Sequence, residues 1–144
     1  MAARGSAEWK GDLKGGAGEV TVGDGVWSGP YSFQSRFVDD DGTAATNPEQ
    51  LIAAAHAACY SMALGNILGE AGTPATSIRT TARVQLRPVD GNPTIVSIAL
   101  STVGEVPGID AGTFAEQADK AKAGCPVSRA LASVPEITLE ASLA

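Results

Sequence analysis

The pattern of apolar and polar positions near the N-terminus predicts short strands. Val20 and Val22 alternate with polar neighbours, and Tyr31, Phe33 and Phe37 share one parity with polar side chains on the other. Glycines are dense before residue 30, and none of them belongs to a phosphate-binding motif. We therefore expect an antiparallel meander joined by tight turns.

The clearest alternation in the chain lies in residues 76–89, which predict a strand with one solvent-facing side. Residues 90–93, with the letters DGNP, predict a turn. A returning strand and a closing strand near the C-terminus are predicted from apolar side chains at alternate positions, namely Val96, Ile98 and Leu100, and then Ile137, Leu139, Ala141 and Leu143.

Residues 47–72, NPEQLIAAAHAACYSMALGNILGEAG, predict a helix with almost no polar face. Asn47 is a good N-cap, Pro48 suits the first helical position, and the charge of Glu49 suits the helix dipole. Gly72 can end the helix.

A second helix is predicted from about residue 110 to 123, with Phe114, Ala118 and Ala121 on one side. Cys125 and Pro126 then begin a short further helix. The order strands, helix, strands, helix, strand predicts an α+β fold built on antiparallel sheets. At 144 residues, a single domain spanning 1–144 is expected.

The central helix is apolar on nearly all sides. Between Leu51 and Leu64 only His56, Tyr60 and Ser61 carry polar side-chain groups. A helix lying on one sheet needs a single apolar stripe, so this helix should be covered on several sides. We expect a second copy of the chain to cover it through a two-fold interface, the alternative being that two sheets of one chain enclose it.

Composition limits the function classes. A net charge of −6 and a pI near 4.6 argue against binding a nucleic-acid backbone. The N-terminus has no apolar run of signal-peptide length. The segment 51–64 is shorter than a membrane span requires and carries His56, so no membrane association is expected. These features predict a soluble, cytoplasmic protein.

The chain has two cysteines, for which three interpretations remain open: inert core thiols, part of a mixed metal site, or a redox pair. Cys59 lies mid-helix, where burial should raise its pKa, so a reactive thiol there would need a neighbouring cation. His56 is the only local candidate, and such a residue is more often hydrogen-bonded in a core. Cys125 lies at the N-cap of a short helix and is expected to be the more acidic thiol.

Several motifs together resemble the OsmC branch of the OsmC/Ohr family over nearly the whole chain. They are SRF at 35–37, TNPEQLIAAAHAACYSMAL at 46–64 and AKAGCPVSRAL at 121–131, with AEWKGDLKGGAGEV and PGIDAGTF matching as well. The resemblance implies an OsmC-like fold, in which antiparallel sheets wrap around two long central helices in an intertwined homodimer. It also implies a thiol peroxidase that prefers organic hydroperoxides and needs no flavin, haem or metal cofactor.

The same resemblance assigns roles by motif. Cys59 would be the peroxidatic thiol, Cys125 the resolving thiol, Arg36 the essential arginine and Glu49 its partner. An external dithiol, typically lipoyl-type or on a lipoylated protein, would regenerate the disulfide. Two departures are an acidic loop at 39–45 and Gln50, where an acidic residue is common in the family.

One consequence of these assignments is geometric. Glu49 and Cys59 are ten residues apart on the predicted helix, about 15 Å along its axis. They cannot easily hold one arginine between them within one chain. We therefore expect composite sites, with the cysteines from one subunit and Arg36 and Glu49 from its partner.

Two rival functions remain. The first is a non-catalytic stress-associated or small-molecule-binding protein on the same fold, with inert cysteines. The second is a metalloprotein that uses His56, Cys59, Cys125 and a carboxylate, although a shell with one histidine would be unusual.

Overall fold

A computed structural model describes residues 1–39 and 44–144 of the chain. The chain divides into two compact units, Met1–Leu51 and Ile52–Ala144. The acidic loop noted at 39–45 falls largely on residues 40–43, outside the described residues. A single domain over 1–144 stays a prediction.

The first unit contains a three-stranded antiparallel meander. Its strands are β1 (Gly5–Lys10), β2 (Ala17–Val22) and β3 (Trp27–Tyr31), in the spatial order β1-β2-β3. The meander predicted from the alternation at Val20 and Val22 is therefore confirmed.

The predicted continuation of that strand through Phe33 and Phe37 is wrong, because these residues form a short helix, α1 (Phe33–Phe37). Ser32 and Ser35 make a capping box, in which each side chain accepts a hydrogen bond from the other residue's backbone N–H. Phe33 and Phe37 are four residues apart, a spacing that has one parity in a strand and one face in a helix. Their ring centroids are 5.0 Å apart on that face.

The long helix, α2 (Pro48–Glu70), agrees with the prediction. Oδ1 of Asn47 accepts a hydrogen bond from the backbone N–H of Gln50 at 2.8 Å, as expected of an N-cap. At the other end Gly72 has a φ of 77°, and the N–H of Thr73 bonds the carbonyl of Leu68 at 2.9 Å. This reversal ends the helix as predicted.

Among the described residues, α2 is the one helix that is long enough and apolar enough to cross a membrane, judged by length and composition alone. The expectation that no segment is long and apolar enough for a membrane span is therefore corrected. Only 22% of its most apolar 18-residue window is buried in the chain. Beyond Glu49 in the first turn, the buried positions form one stripe of residues four apart, His56, Tyr60, Leu64 and Leu68. The side of α2 that carries Met62 is open, with that residue 77% exposed.

The second unit contains the strands β4 (Ser77–Val89), β5 (Asn92–Glu105) and β6 (Glu136–Leu143), in that spatial order. β4 and β5 form an antiparallel hairpin whose turn places Asp90 and Gly91 at positive φ. The prediction of purely antiparallel sheets is wrong here, because β6 pairs with β5 in parallel. A parallel pair needs a long crossover, and α3 (Ala111–Gly124) and α4 (Pro126–Ala130) supply it.

The core of the second unit joins α2, α3 and the sheet. As predicted, Phe114, Ala118 and Ala121 form the buried side of α3, and Asp110 caps that helix through the backbone N–H of Thr113. The hydroxyl of Tyr60 on α2 donates to the carbonyl of Ala118 at 3.1 Å. Cys125 is fully buried in this same core, which places the second thiol against α2.

Candidate active site

The two cysteines, far apart in sequence, are neighbours in the second unit. Cys59 lies on α2 and Cys125 lies at the junction of α3 and α4. Both are free thiols, Cys125 is fully buried and Cys59 is partly buried. Cys59 packs against the core cluster that contains Cys125, and each thiol shifts the pKa of the other. This proximity is the geometric condition for a redox pair, while the assigned catalytic roles stay predictions.

Cys125 is the more acidic thiol of the pair. Burial alone would raise its pKa, but hydrogen bonds from the Ser128 backbone, the Cys59 thiol, the Ser128 hydroxyl and the Val127 backbone act against burial and lower it. The two N–H groups approach the sulfur from the first turn of α4, without the geometry of a standard side-chain cap. The expectation from the N-cap position therefore has the right direction.

Cys59 has the opposite shift. Burial raises the pKa of its thiol, the N–H of Val127 opposes this, and the neighbouring Cys125 raises it further. When the pair shares one negative charge, Cys125 holds it and Cys59 donates the hydrogen bond. No positively charged group contributes to the Cys59 pKa among the described residues.

His56 is fully buried one turn before Cys59 on α2. Its Nε2 lies 2.6 Å from Oγ of Ser128, and its Nδ1 has no hydrogen-bond partner among the described residues. Burial lowers its pKa, so the ring is neutral near pH 7. Within residues 1–39 and 44–144, no group of three or more potential ligands could hold a metal ion.

Arg36 and Glu49, which belong to the first unit, form an ion pair. Nη2 of Arg36 donates to Oε1 of Glu49 at 2.8 Å, and Nε lies 3.3 Å from both carboxylate oxygens. Glu49 is buried, whereas the Arg36 side chain is 37% exposed. The arginine lies on α1 and not on a strand as predicted, and the carboxylate fixes its orientation. Within residues 1–39 and 44–144 the guanidinium hydrogen-bonds to Glu49 alone.

Arg36 borders an aromatic cleft of about 260 Å³ in the first unit. The cleft is lined by Trp9, Leu13, Tyr31, Ser32, Phe33, Arg36, Phe37 and Pro48. The guanidinium carbon lies 5.2 Å from the centroid of the Phe37 ring. One cation in an otherwise apolar cleft suits a small molecule with a polar head and a hydrocarbon body.

Sequence reasoning missed two parts of this arrangement. Ser128 was not singled out, although it is the third residue after the capping Cys125, where a side chain can turn back towards the cap. The aromatic cleft was missed because Trp9 and Phe33 are remote in sequence and Phe33 was assigned to a strand. The pairing of Trp9 with Tyr31, with ring centroids 5.4 Å apart, follows from strand register and not from spacing.

Two neighbouring free thiols of unequal acidity are an arrangement typical of dithiol redox proteins. A family model described as OsmC-like protein matches residues 39–140. Peroxiredoxin OsmC of Escherichia coli (strain K12) and that of Shigella flexneri are each 53% identical over 141 residues, covering 97% of this chain and 95% of theirs. Among solved structures, the organic hydroperoxide resistance protein OhrB of Bacillus subtilis superposes with a TM-score of 0.73 at 25% identity, covering all of this chain and 98% of that one. The chain belongs to the OsmC family.

Proposed function

We propose that this protein reduces organic hydroperoxides to alcohols through a two-cysteine cycle. The enzyme class follows from the relatives, since at 53% identity over nearly the whole length the chain is a peroxidase. The observation that carries the mechanism is the contact between the thiols of Cys59 and Cys125.

The proposed cycle balances in three steps. The thiolate of Cys59 attacks the terminal peroxide oxygen, so that an S–O bond forms and the O–O bond breaks. Cys59 becomes a sulfenic acid, and the departing alkoxide takes a proton to leave as the alcohol. The thiolate of Cys125 then attacks the sulfenic acid at Cys59, so that an S–S bond forms and hydroxide leaves as water after protonation. An external dithiol finally reduces the disulfide and is itself oxidised.

The first step needs a cation that the second unit does not contribute, because the pKa of Cys59 is raised in the single chain. Arg36 is held by Glu49 with donors to spare, and it suits this task. The ten-residue spacing of Glu49 and Cys59 on one helix favours delivery of the guanidinium by a partner subunit. The exposed apolar side of α2 around Met62 supports a homodimer that buries this side.

The cleft beside Arg36 supports a preference for organic substrates. Its aromatic side chains can bury the hydrocarbon of an alkyl or aryl hydroperoxide, from which hydrogen peroxide gains nothing. We propose a lipoyl-type dithiol as the reductant, no bound cofactor or metal, and a cytoplasmic location.

The decisive experiment is a steady-state assay of peroxide consumption with cumene hydroperoxide and hydrogen peroxide, each driven by a lipoyl dithiol, thioredoxin or glutathione. We expect a higher kcat/KM for cumene hydroperoxide and the fastest turnover with the lipoyl dithiol. Turnover that persists in a Cys59→Ser variant would refute the proposed chemistry. Equal kcat/KM for the two peroxides would refute the substrate preference.

A non-catalytic binding protein is the rival function. It predicts that both thiols stay reduced after stoichiometric exposure to cumene hydroperoxide. Mass spectrometry of the treated protein distinguishes the two, because the proposed cycle predicts a loss of two hydrogens per chain as the disulfide forms.

A further inference from the structure

A buried polar chain leads from His56 to the two thiols, and the proposed cycle does not use its first member. Nε2 of His56 lies 2.6 Å from Oγ of Ser128. Ser128 is the third residue after Cys125, at the start of α4, and its hydroxyl lowers the pKa of the Cys125 thiol. His56 is 0% exposed and Ser128 is 8% exposed, so solvent has little access to either group. Buried polar groups that water cannot reach must hydrogen-bond to one another, which restricts where their protons lie.

The proton count in this chain selects one tautomer. A serine hydroxyl carries one proton, so Ser128 can donate either to Cys125 or to His56, but not to both. The interaction that favours the Cys125 thiolate requires donation to sulfur. Ser128 must then accept from the ring, which places the histidine proton on Nε2.

The other ring nitrogen supports this assignment. Nδ1 of His56 is buried and has no partner among the residues that the structure describes. With the proton on Nε2, Nδ1 is an unpaired acceptor. The other tautomer would leave an unpaired N–H donor in the core, a much rarer feature of folded proteins, and would also withdraw the Ser128 proton from sulfur.

We propose that His56 is a positioning residue for Cys125, whose Nε2–H donates to the hydroxyl of Ser128 and so directs the Ser128 proton onto the sulfur. The thiolate of Cys125 is thereby favoured over the thiol. The importance of this for catalysis rests on the proposed role of Cys125 as the resolving nucleophile. His56 touches no reacting atom and acts only through Ser128.

Charged groups of α3 and α4 lie near Ser128, since Asp119, Lys122 and Arg129 line one pocket together with it. Cys125 and Cys59 lie beyond Ser128, and Tyr60 follows on α2. Burial raises the pKa of Tyr60, as do the charges of Asp119 on α3 and of Cys125, so Tyr60 stays neutral in the working range. Burial is the only cause that lowers the His56 pKa.

The tautomer can be measured directly because the chain has one histidine. A long-range ¹⁵N–¹H correlation spectrum of the wild-type protein near pH 7.5 should show a protonated Nε2 and an unprotonated Nδ1. A protonated Nδ1, whether in the other neutral tautomer or in an imidazolium, would overturn the inference. This measurement needs no substitution, so it holds even where a core variant fails to fold.

The effect on sulfur can be measured by the ultraviolet absorbance of the thiolate as pH is raised, in a Cys59→Ser background in which Cys125 is the only thiol. We expect His56→Leu and Ser128→Ala each to raise the pKa of Cys125 by about one unit. In His56→Gln the amide N–H can replace Nε2–H, so the Cys125 pKa should stay close to its wild-type value. Ser61→Ala is the matched control, since its hydroxyl on α2 bonds Thr80 and should not affect Cys125.

An unchanged Cys125 pKa in both His56→Leu and Ser128→Ala would overturn the proposal. Equal shifts in His56→Gln and His56→Leu would also do so, because they would indicate a packing effect. Neither measurement uses peroxide or a reductant. A protein that fails the peroxidase assay can therefore still pass both tests, and the two failures are distinguishable.

Discussion

Cys59 and Cys125 touch each other and share one core, yet their acidities shift in opposite directions. Burial opposes ionisation of both thiols. Cys125 overcomes it because the first turn of α4 and the Ser128 hydroxyl direct donors at its sulfur, whereas Cys59 has one backbone N–H and a neighbour that competes for the charge. Donor number, and not depth in the core, separates the two thiols.

This comparison bears on the order of the proposed chemistry. In the single chain the better thiolate is the one assigned to resolve the sulfenic acid, and the thiol assigned to attack peroxide is protonated. The proposed cycle therefore needs an added cation at Cys59, and the exposed guanidinium of Arg36 is suited to supply it.

The largest effect should come from removing each thiol in turn. Cys59→Ser should lower dithiol-driven turnover by at least about 10³-fold, because the sulfur assigned to attack the peroxide is lost. Cys125→Ser should still consume one equivalent of hydroperoxide and accumulate sulfenic acid, detectable with a dimedone-type probe and mass spectrometry. If Cys125→Ser blocks the first equivalent while Cys59→Ser permits it, the roles are reversed.

The next effect tests whether the missing cation comes from a partner. Arg36→Met should lower kcat/KM by about 10²-fold, because a charge-assisted donor to the thiolate and peroxide is lost. Chains carrying Arg36→Met and Cys59→Ser, co-expressed, should recover roughly a quarter of the wild-type rate, since half the dimers are mixed and each mixed dimer has one intact composite site. The same chains purified separately and assayed without exchange are the control.

Recovery no better than that of the Arg36→Met protein alone would place Arg36 and Cys59 of one site in one chain. A wild-type protein that sediments as a monomer would contradict the composite site more directly. In that case Met62→Glu on the exposed side of α2 should leave the mass unchanged, whereas a dimer should dissociate or weaken.

A smaller effect should separate organic from inorganic substrates. Phe33→Ala in the aromatic cleft should lower kcat/KM for cumene hydroperoxide by about tenfold, because one decade corresponds to about 1.4 kcal/mol of lost apolar contact. The value for hydrogen peroxide should stay within about twofold of wild type. Val26→Ala, an exposed position that does not line the cleft, is the matched control. Equal losses for both peroxides would indicate a disturbed α1 instead of a lost contact.

How much of this arrangement the sequence predicts depends on whether the signal is local. The caps of α2, the apolar side of α3, the alternation of β4 and the N-cap position of Cys125 are all local, and each prediction is confirmed. The strand prediction for Phe33 and Phe37 failed because a spacing of four residues fits both a strand and a helix. The Ser32–Ser35 capping box decides in favour of the helix. The parallel pairing of β6 is set by the crossover through α3 and α4, which no local pattern encodes.

The contact between the thiols is likewise non-local. Cys59 and Cys125 meet because α2 and the α3–α4 junction pack in one core. From the residues alone a redox pair is one of three interpretations, and the family resemblance is what favours it. The role of Ser128 was within reach of local reasoning, since it lies one helical turn from the capping cysteine. The hydrogen bond between Ser128 and His56 could not be predicted locally, because it joins α4 to α2.

The smallest effect concerns stability in mild acid. Burial lowers the pKa of His56 in the folded state, so the unfolded chain, with a value near 6.5, binds the proton more readily. The stabilisation from keeping this ring neutral is fully present above about pH 6.5 and is lost as pH falls towards the lower folded-state pKa, by at most about 1.4 kcal/mol per pH unit. Urea unfolding of wild type and His56→Gln at pH 7.5, 6.5 and 5.5 and one protein concentration isolates this term, because carboxylate titration affects both proteins alike. We expect the unfolding free energy of the wild type, relative to that of His56→Gln, to decrease as pH is lowered from 7.5 to 5.5. A constant difference would mean that the ring is already charged or is readily solvated, in which case the contrast between Cys125 and Cys59 could not depend on a neutral histidine.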